Sequence, residues 1–451
     1  MFLLMKETFW KNWAETVYFQ PHKVVYPTSI AEVCQIVKQA KKENQQIRVI
    51  GAGHSFTPIA ASPGYLISLD NLTGIISIDE EQQTAVVLAG TRLYDLSKQL
   101  AEQGFSQENL GDINTQSLAG ATLTGTHGTG IQFGNLATQV VELKMVNADG
   151  DVITVNAQSE VPLQAAAISL GLLGIVVEMA IRIIPAPTYR FESRKIHFLH
   201  LLQDMKQLIA ENRHFECFMF PYSEIVQIKT MNLSEQVPLS VRKHRLKALV
   251  VENYAYQLLS ETARFIPRTT RWISRLSAKA IGSSVIHAKN YDLFATARNV
   301  RFREMEYSIP LEKLSEALIA IRTKMEREGY HVHFPIEIRM AKGDDLWLST
   351  AYARDSAYIA IHMYKGMPYE KYFQDMDALL QAYEARPHWG KMHNMNLTQL
   401  HRVYPKLEAF LNIREQLDPS GIFLNAYFAK LLETNNKENR TKLQKSIFAE
   451  V

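Results

Sequence analysis

Hydrophobic and polar positions along this chain alternate between two periods. Lys23-Val24-Val25-Tyr26-Pro27-Thr28 is a short β-type run closed at a proline. Ser29-Ile30-Ala31-Glu32 has the form of a capping box, and Ile30, Val33, Val37 and Ala40 then recur at helical spacing, so the pattern predicts an amphipathic helix over 29–43. A buried strand over 47–50 follows and runs straight into a glycine loop. Residues 84–89 read as a further strand, and Leu93, Leu96 and Leu100 mark a helix closed by Gly104. Strand-like runs at 140–146 and 152–155 lead to the apolar stretch 171–177, and Pro185 and Pro187 punctuate a domain boundary near 184. Residues 330–395 return to strand-like patterning, and the chain after about 431 is a polar tail.

The loop after the strand at 47–50 carries the sharpest chemical signal: Gly51-Ala52-Gly53-His54-Ser55-Phe56. Two glycines let backbone N–H groups approach a pyrophosphate closely, and the side chain of His54 is then set against whatever that pyrophosphate carries. The glycine- and threonine-rich passage 111–130 exposes many backbone donors and small hydroxyls, which suits a long polar ligand lying along the chain.

Further chemistry lies in the second half. In a strand over 331–340, Glu337 and Arg339 share one face while Phe334, Ile336, Ile338 and Met340 pack behind. Such a pair can hold a polyhydroxylated substrate and keep the carboxylate ionised, and it is also what an ordinary ion pair on a sheet looks like. Alternation over 359–364 puts His362 and Tyr364 on one face, where hydrogen-bonded core groups are the other reading. Pro387-His388-Trp389-Gly390-Lys391-Met392-His393 is a dense polar-aromatic cluster whose lysine can offset negative charge on a ligand, unless the cluster is a surface loop. His331-x-His333 lacks a cysteine or carboxylate set beside it, so no metal is expected.

Between Arg242 and Lys279 nine Lys/Arg face two acids, Glu252 and Glu261. From Pro267, which suits a first turn, Arg268, Arg271, Arg275 and Lys279 fall on one helical face and Trp272, Ile273, Leu276 and Ala280 on another. That helix is read as solvated and packed on the domain by its Trp face; an anionic membrane surface or an acidic partner is the alternative. The remaining composition narrows the class. At 451 residues and 47% hydrophobic, the chain can fill two or three domains. No run approaches the roughly 20 apolar residues of a bilayer span, and Met1-Phe2-Leu3-Leu4-Met5-Lys6-Glu7 has no signal-peptide form. Only Cys34 and Cys217 occur, which fits a reducing, cytoplasmic setting. A net charge of +3 gives no argument for nucleic acid.

Taken in order, these motifs resemble the vanillyl-alcohol-oxidase-type flavoproteins, specifically the sugar-1,4-lactone oxidase and alditol oxidase group. The resemblance rests on Asn12-Trp13-Ala14 with Pro21 and Pro27; on Gly51 to Phe56; on Ala119-Gly120 with Gly125-Thr126-His127-Gly128-Thr129-Gly130; and on Glu337-x-Arg339 with His388-Trp389-Gly390-Lys391. Asp418-Pro419-x-Gly421-x-Phe423-Leu424-Asn425 resembles the group's closing motif, so nearly the whole chain is covered. It implies an α+β fold. A two-subdomain FAD-binding domain would span 1–184, with about 405–430 returning to it. A substrate (cap) domain over 185–404 would carry a mainly antiparallel sheet and a basic helical insertion at about 240–300.

It further implies that His54 bonds the flavin covalently. Ile50, Gly51, Ala52, Gly53, Ser55, Phe56, Gly111, Asp112, Ser117, Gly120, Thr124, Gly125, Thr126, His127, Gly128, Thr129, Ile175 and His388 would hold FAD. Glu337, Arg339, Lys391 and His362 would act on the substrate, and Asp112 and Tyr364 would bind it. The implied chemistry is hydride transfer from a substrate C–H to flavin N5, with electrons passing on to O2 to give H2O2. In this group a Gly or Ala near the flavin controls oxygen access; Gly111 stands there, which favours an oxidase. Asp112 and Tyr364 depart from the smaller hydroxyl residues of alditol oxidases, which favours a lactone over a xylitol- or sorbitol-type substrate. The basic insertion keeps open a dehydrogenase feeding a quinone or cytochrome at a membrane surface.

Overall fold

The computed structural model describes residues 9–238, 241, 255–294 and 300–432. The Met1–Glu7 start, Arg242, Lys243, Arg245, Lys247, Glu252 and the polar tail beyond 432 lie outside the described residues.

Three sheets organise the chain. The first is parallel, in the order Lys23–Val25, Tyr65–Ser68, Ile47–Ile50. Helix Ile30–Lys42 crosses it, burying Val33, Val37 and Ala40. Ser29 Oγ accepts from the Glu32 amide at 3.2 Å, but the Glu32 carboxylate reaches past the cap to the Thr28 amide at 2.7 Å. Only half of the capping box therefore forms. The second sheet is antiparallel: Val152–Val155, Val140–Val146, Ile175–Arg182, Thr84–Leu88, Ile75–Asp79. The third has eight strands and is also antiparallel: Ser284–Lys289, Thr188–His197, Ile225–Leu233, His214–Met219, Ile336–Ala341, Ser356–Tyr364, Phe302–Pro310, Arg386–Pro387. Helices Phe198–Glu211 and Glu370–Gln381 pack on it. Two largely antiparallel sheets, a small parallel one and separate helices make an α+β architecture.

The end of the chain closes back on its start. The Ile47 amide donates to the Ile422 carbonyl at 2.7 Å, and the Asn425 amide donates to Pro58 and Ala61 carbonyls. Arg48, alone among apolar neighbours in its strand, is 5% exposed. Its guanidinium donates to the carbonyls of Ile59 (2.8 Å), Leu170 (2.7 Å), Gly171 (3.0 Å) and Phe423 (2.8 Å). Burial lowers its pKa to about 10.

The basic region departs from the single-helix expectation. Helix Tyr256–Phe265 stops before Pro267, a 3-10 turn covers Pro267–Thr269, and a second helix runs over Thr270–Ala280. Its packing agrees with the expectation at Ile273, which is buried, and at Arg268, Arg271, Arg275 and Lys279, which are exposed, but not at Trp272, Leu276 and Ala280, which face outward. Thr270, Ile273, Ser274 and Ala278 are buried, whereas Trp272 is 61% exposed. The rotation is set by Tyr222: Arg271 lies 4.6 Å over its ring, Arg275 Nε donates to its carbonyl at 2.8 Å, and Ser274 donates to the Pro221 carbonyl beside it. With those contacts fixed, Ile273 is turned inward and Trp272 outward. No helix among the described residues is long and apolar enough to cross a membrane.

Candidate active site

Cross-strand register assembles the site. On adjacent strands of the eight-stranded sheet Glu216 pairs with Arg339, Arg339 with Tyr358, Glu337 with Ala360, Ala360 with Glu306, and His362 with Glu304. Alternation sends these side chains to one face. All of them except Glu216, which stands behind Arg339, line a cavity of about 760 Å³, with His54, Gly111, Asp112, Thr126 and His127 opposite and His388, Gly390 and Lys391 at the side.

The cavity is built from buried ions that satisfy one another. Arg339 Nε donates to Glu216 at 2.9 Å, another of its nitrogens contacts Glu337, and Asp112 lies 3.8 Å away. Burial disfavours the guanidinium charge, but Glu337, Glu216 and Asp112 outweigh it and hold the proton more firmly than usual. Lys391 Nζ pairs with Glu304 and lies 4.0 Å from Glu306. Burial alone would raise the Glu304 carboxyl; Lys391 and His362 overcome that and bring it down to about 2. Glu306 is likewise held well below the carboxylate range, burial being outweighed by His127, His388 and Lys391. His127 stacks on Tyr358 with ring centroids 3.5 Å apart and contacts Glu306 at 2.6 Å. Burial pushes His388 down to about 4.

A second cleft of about 1050 Å³ runs from Ile175 and Val176 past Gly171, Gly120 and Ser117 to the loop 50–55. It meets the first cavity at His54, Ser55, Gln116 and Thr124, which line both. Its walls are mostly backbone and small side chains. A Cβ at Gly51 would land on Ser117 Oγ, and Gly53 has φ +67 with the Trp10 ring 2.9 Å from where its Cβ would be. The N-terminal arm braces this loop: Asn12 Nδ2 donates to the Ser55 carbonyl at 2.9 Å and the Trp13 amide to Gly53 at 2.8 Å. The Trp13 ring stacks on His54 at 5.4 Å. Burial, with Lys391 nearby, lowers His54 to about 4, so it is a neutral ring at pH 7. Its Nδ1 is buried, with the Ala52 backbone beside it. An elongated backbone cradle ending at a neutral histidine, beside a polar cavity, fits FAD.

Comparison with known proteins agrees with this geometry. The D-arabinono-1,4-lactone oxidase family matches residues 179–431, more than half of the chain. The chain belongs to that family. An FAD binding domain matches residues 21–156, and FAD is the cofactor of this oxidoreductase acting on CH–OH groups. L-gulono-1,4-lactone dehydrogenase of Mycobacterium tuberculosis is 36% identical over 424 residues, covering 94% of this chain and 99% of that one. L-gulonolactone oxidase of Mus musculus is 32% identical over 429 residues, covering 93% and 97%. A crystal structure of cholesterol oxidase from B. sterolicum superposes with a TM-score of 0.82 at 16% identity, over 94% of this chain and 96% of that one, which shows the shared fold.

Within this family member most of the expected residues converge. Glu337, Arg339, Lys391, His362, Asp112, Gly111, Thr126, His127 and His388 line the cavity, and Ile50 to Ser55, Ser117, Gly120, Thr124 and Ile175 line the cleft or both. Four expected cofactor residues stand one layer back. Phe56 packs on Trp13 and Phe302, Gly125 backs Ile168, Gly128 backs Asn109, and the Thr129 hydroxyl donates to the Phe215 carbonyl. Tyr364 shares its strand face with His362 but does not reach the cavity; its hydroxyl donates to Glu261 on helix Tyr256–Phe265 at 2.5 Å. Glu304 and Glu306 were not anticipated. Their signal is the alternation Phe302-Arg303-Glu304-Met305-Glu306-Tyr307, which places both carboxylates on one face. No group of three or more potential metal ligands occurs among the described residues.

Proposed function

We propose that this protein oxidises a hydroxyl of a sugar-1,4-lactone, with FAD held covalently by His54 and O2 as electron acceptor. The observation that carries the reading is the junction itself, where the carboxylates and the two fixed cations Arg339 and Lys391 meet the FAD cleft at His54. When bound, FAD supplies the two-electron acceptor that takes hydride from the substrate carbon and passes electrons onward.

The chain's residues do the rest. Four carboxylates, Asp112, Glu304, Glu306 and Glu337, offer acceptors to a ring of hydroxyls. Their excess over Arg339 and Lys391 suits a neutral lactone better than an anionic sugar acid. Glu337 orients Arg339 and accepts a substrate hydroxyl. Arg339 and Lys391 are held in place by their carboxylates and supply preorganised positive charge where negative charge builds up, worth about 3–4 kcal/mol for a well-placed donor. Gly111 opens the wall of the cavity, which favours reaction with O2. We read 1–184 with about 405–430 as the FAD-binding domain and 185–404 as the substrate domain.

The test is an anaerobic bleaching screen over lactones, alditols and hydroxy acids, followed by H2O2 yield in air. Lactones should bleach the flavin fastest, with about one H2O2 per substrate. An unbleached flavin with every compound removes the reading, and faster bleaching by alditols moves the substrate to that class. Acid-precipitated protein should stay yellow and His54→Ala should release its flavin; a colourless wild-type pellet refutes the covalent bond.

A second acceptor reading rests on the outward face of the basic region. Leu258, Phe265, Ile266 and Trp272 are all more than half exposed beside Arg268 and Lys279. Such a face suits an anionic membrane surface, where a dehydrogenase would reduce a quinone or cytochrome. Brisk dye reduction with almost no H2O2, together with binding to anionic vesicles lost in Trp272→Glu, would favour it.

A further inference from the structure

Oxidation of a hydroxyl-bearing carbon removes a hydride from carbon and a proton from oxygen. The acceptor of that proton is open to argument from hydrogen-bond geometry, because a carbonyl or carboxylate oxygen can only accept from a ring nitrogen. The argument rests on the reading of this cavity as the site of lactone oxidation.

Most of the cavity's basic atoms are already committed. His127 Nδ1 lies 2.8 Å from the Gly128 carbonyl and Nε2 lies 2.6 Å from Glu306. Both ring nitrogens are thus already engaged by oxygens of the chain itself. His388 Nδ1 accepts from the Gly390 amide at 3.0 Å, which places that ring's hydrogen on Nε2. Lys391 is an ammonium held by Glu304, with Glu306 4.0 Å away. Asp112 and Glu337 are engaged in ion pairs with the Arg339 guanidinium. His54 belongs to the cofactor cleft.

His362 differs from all of these. Its Nδ1 lies 3.1 Å from the Pro335 carbonyl, so in the neutral ring Nδ1 carries the hydrogen and the lone pair is on Nε2, while as a cation the same ring supports the Glu304 anion. That Nε2 lies 3.6 Å from Glu304 Oε1. A ring in this tautomer gains an ion pair with Glu304 only after Nε2 takes a proton. Phe302 stands edge-on to the ring at 5.0 Å and Phe334 flanks it at 6.3 Å, fixing its plane. Lys391 in turn keeps Glu304 from swinging away.

We infer that His362 Nε2 accepts the substrate hydroxyl proton, and that the Pro335 carbonyl and Glu304 are positioning groups that fix its tautomer and stabilise its cation. The O–H bond breaks and an N–H bond forms at Nε2. The O–H electron pair becomes the second bond of the new C=O, and the C–H electron pair leaves with the hydride to the bound flavin.

The test is a ring-nitrogen NMR titration of histidine-labelled holoenzyme, beside pH profiles of kcat/KM. The His362 signal, identified by its absence in His362→Gln, should show hydrogen on Nδ1 at high pH. Its midpoint should fall by about one unit or more in Glu304→Gln, since an opposite charge at this range shifts a pKa by about 1–3 units. The low-pH limb of kcat/KM should track the same midpoint in both proteins. His362→Gln should lose about 10²–10⁴ in kcat with little change in KM, and lose that limb. Glu304→Asp should restore part of the midpoint. Hydrogen on Nε2, an unmoved midpoint in Glu304→Gln, or an intact limb in His362→Gln would each overturn the assignment. The NMR readout needs no turnover, so it stands apart from the lactone reading.

Discussion

Replacing Arg48 with methionine tests how the cofactor cleft is held. The side chain keeps its volume and loses four charge-assisted hydrogen bonds to the carbonyls of Ile59, Leu170, Gly171 and Phe423. At about 1.5–3 kcal/mol each, these sum to roughly 6–12 kcal/mol in gross terms. Against this stands the burial of a guanidinium. The fall from 12.5 to about 10 corresponds to about 3 kcal/mol that methionine no longer opposes. The lower part of the remaining range, about 3–5 kcal/mol, also matches what breaking a buried ionic cluster usually costs. A chain of this size gains about 0.9 kcal/mol/K of unfolding entropy, so Tm should fall by roughly 3–5 °C. Differential scanning calorimetry of the holoenzyme reads this directly, with Arg48→Lys expected between the two. An Arg48→Met protein melting within about 1 °C of wild type would refute the view that this guanidinium joins the cleft floor to the returning C-terminal segment.

Three other outcomes are expected. Lys391→Met strips the cation from Glu304 and Glu306 and should lower kcat/KM by about 10²–10³, most of it in kcat, in anaerobic dye-reduction assays. Gly111→Ala puts a methyl 3.2 Å from Thr126 Cγ2 on the cavity wall; it should slow flavin reoxidation by O2 while leaving anaerobic bleaching by substrate largely intact, read by stopped flow. Burial holds His214, His333, His388 and His393 at about 4 against an ordinary 6.5. The unfolded chain therefore binds more protons between these values. Stability should be full above pH 6.5 and fall as pH drops toward 4, by up to about 1.4 kcal/mol per pH unit for each histidine, measurable by urea unfolding.

What the chain announces before folding is local. The alternation that put Glu337 and Arg339 on one face is a property of a few neighbouring residues, and the glycine loop signals a close ligand approach by composition alone. Glu304 and Glu306 were harder. Alternate carboxylates on a strand ordinarily face water, and only the register with His362 and the arrival of His127 and Lys391 make them buried anions. Tyr364 shows the reverse. Its face was read correctly, yet its hydroxyl is taken by Glu261, 103 positions away in the chain. Trp272 was misjudged for a similar reason, since Tyr222 and Pro221 fix the rotation of its helix and neither lies near it in sequence. Nothing near Arg48 in the chain signals its role, because its four partners lie 11 to 375 residues away.

That last separation has a consequence for biosynthesis. Phe423 is made 375 residues after Arg48, which at about 5–20 residues per second is roughly 20–75 s of translation. Until then the first parallel sheet lacks the Ile422 carbonyl that receives its Ile47 amide, and the Arg48 guanidinium lacks one of its acceptors. A strand of this sheet is thus completed by a segment about 375 residues later in the chain. Arg48, which lines the cleft, reaches its full set of acceptors only after Phe423 has been made.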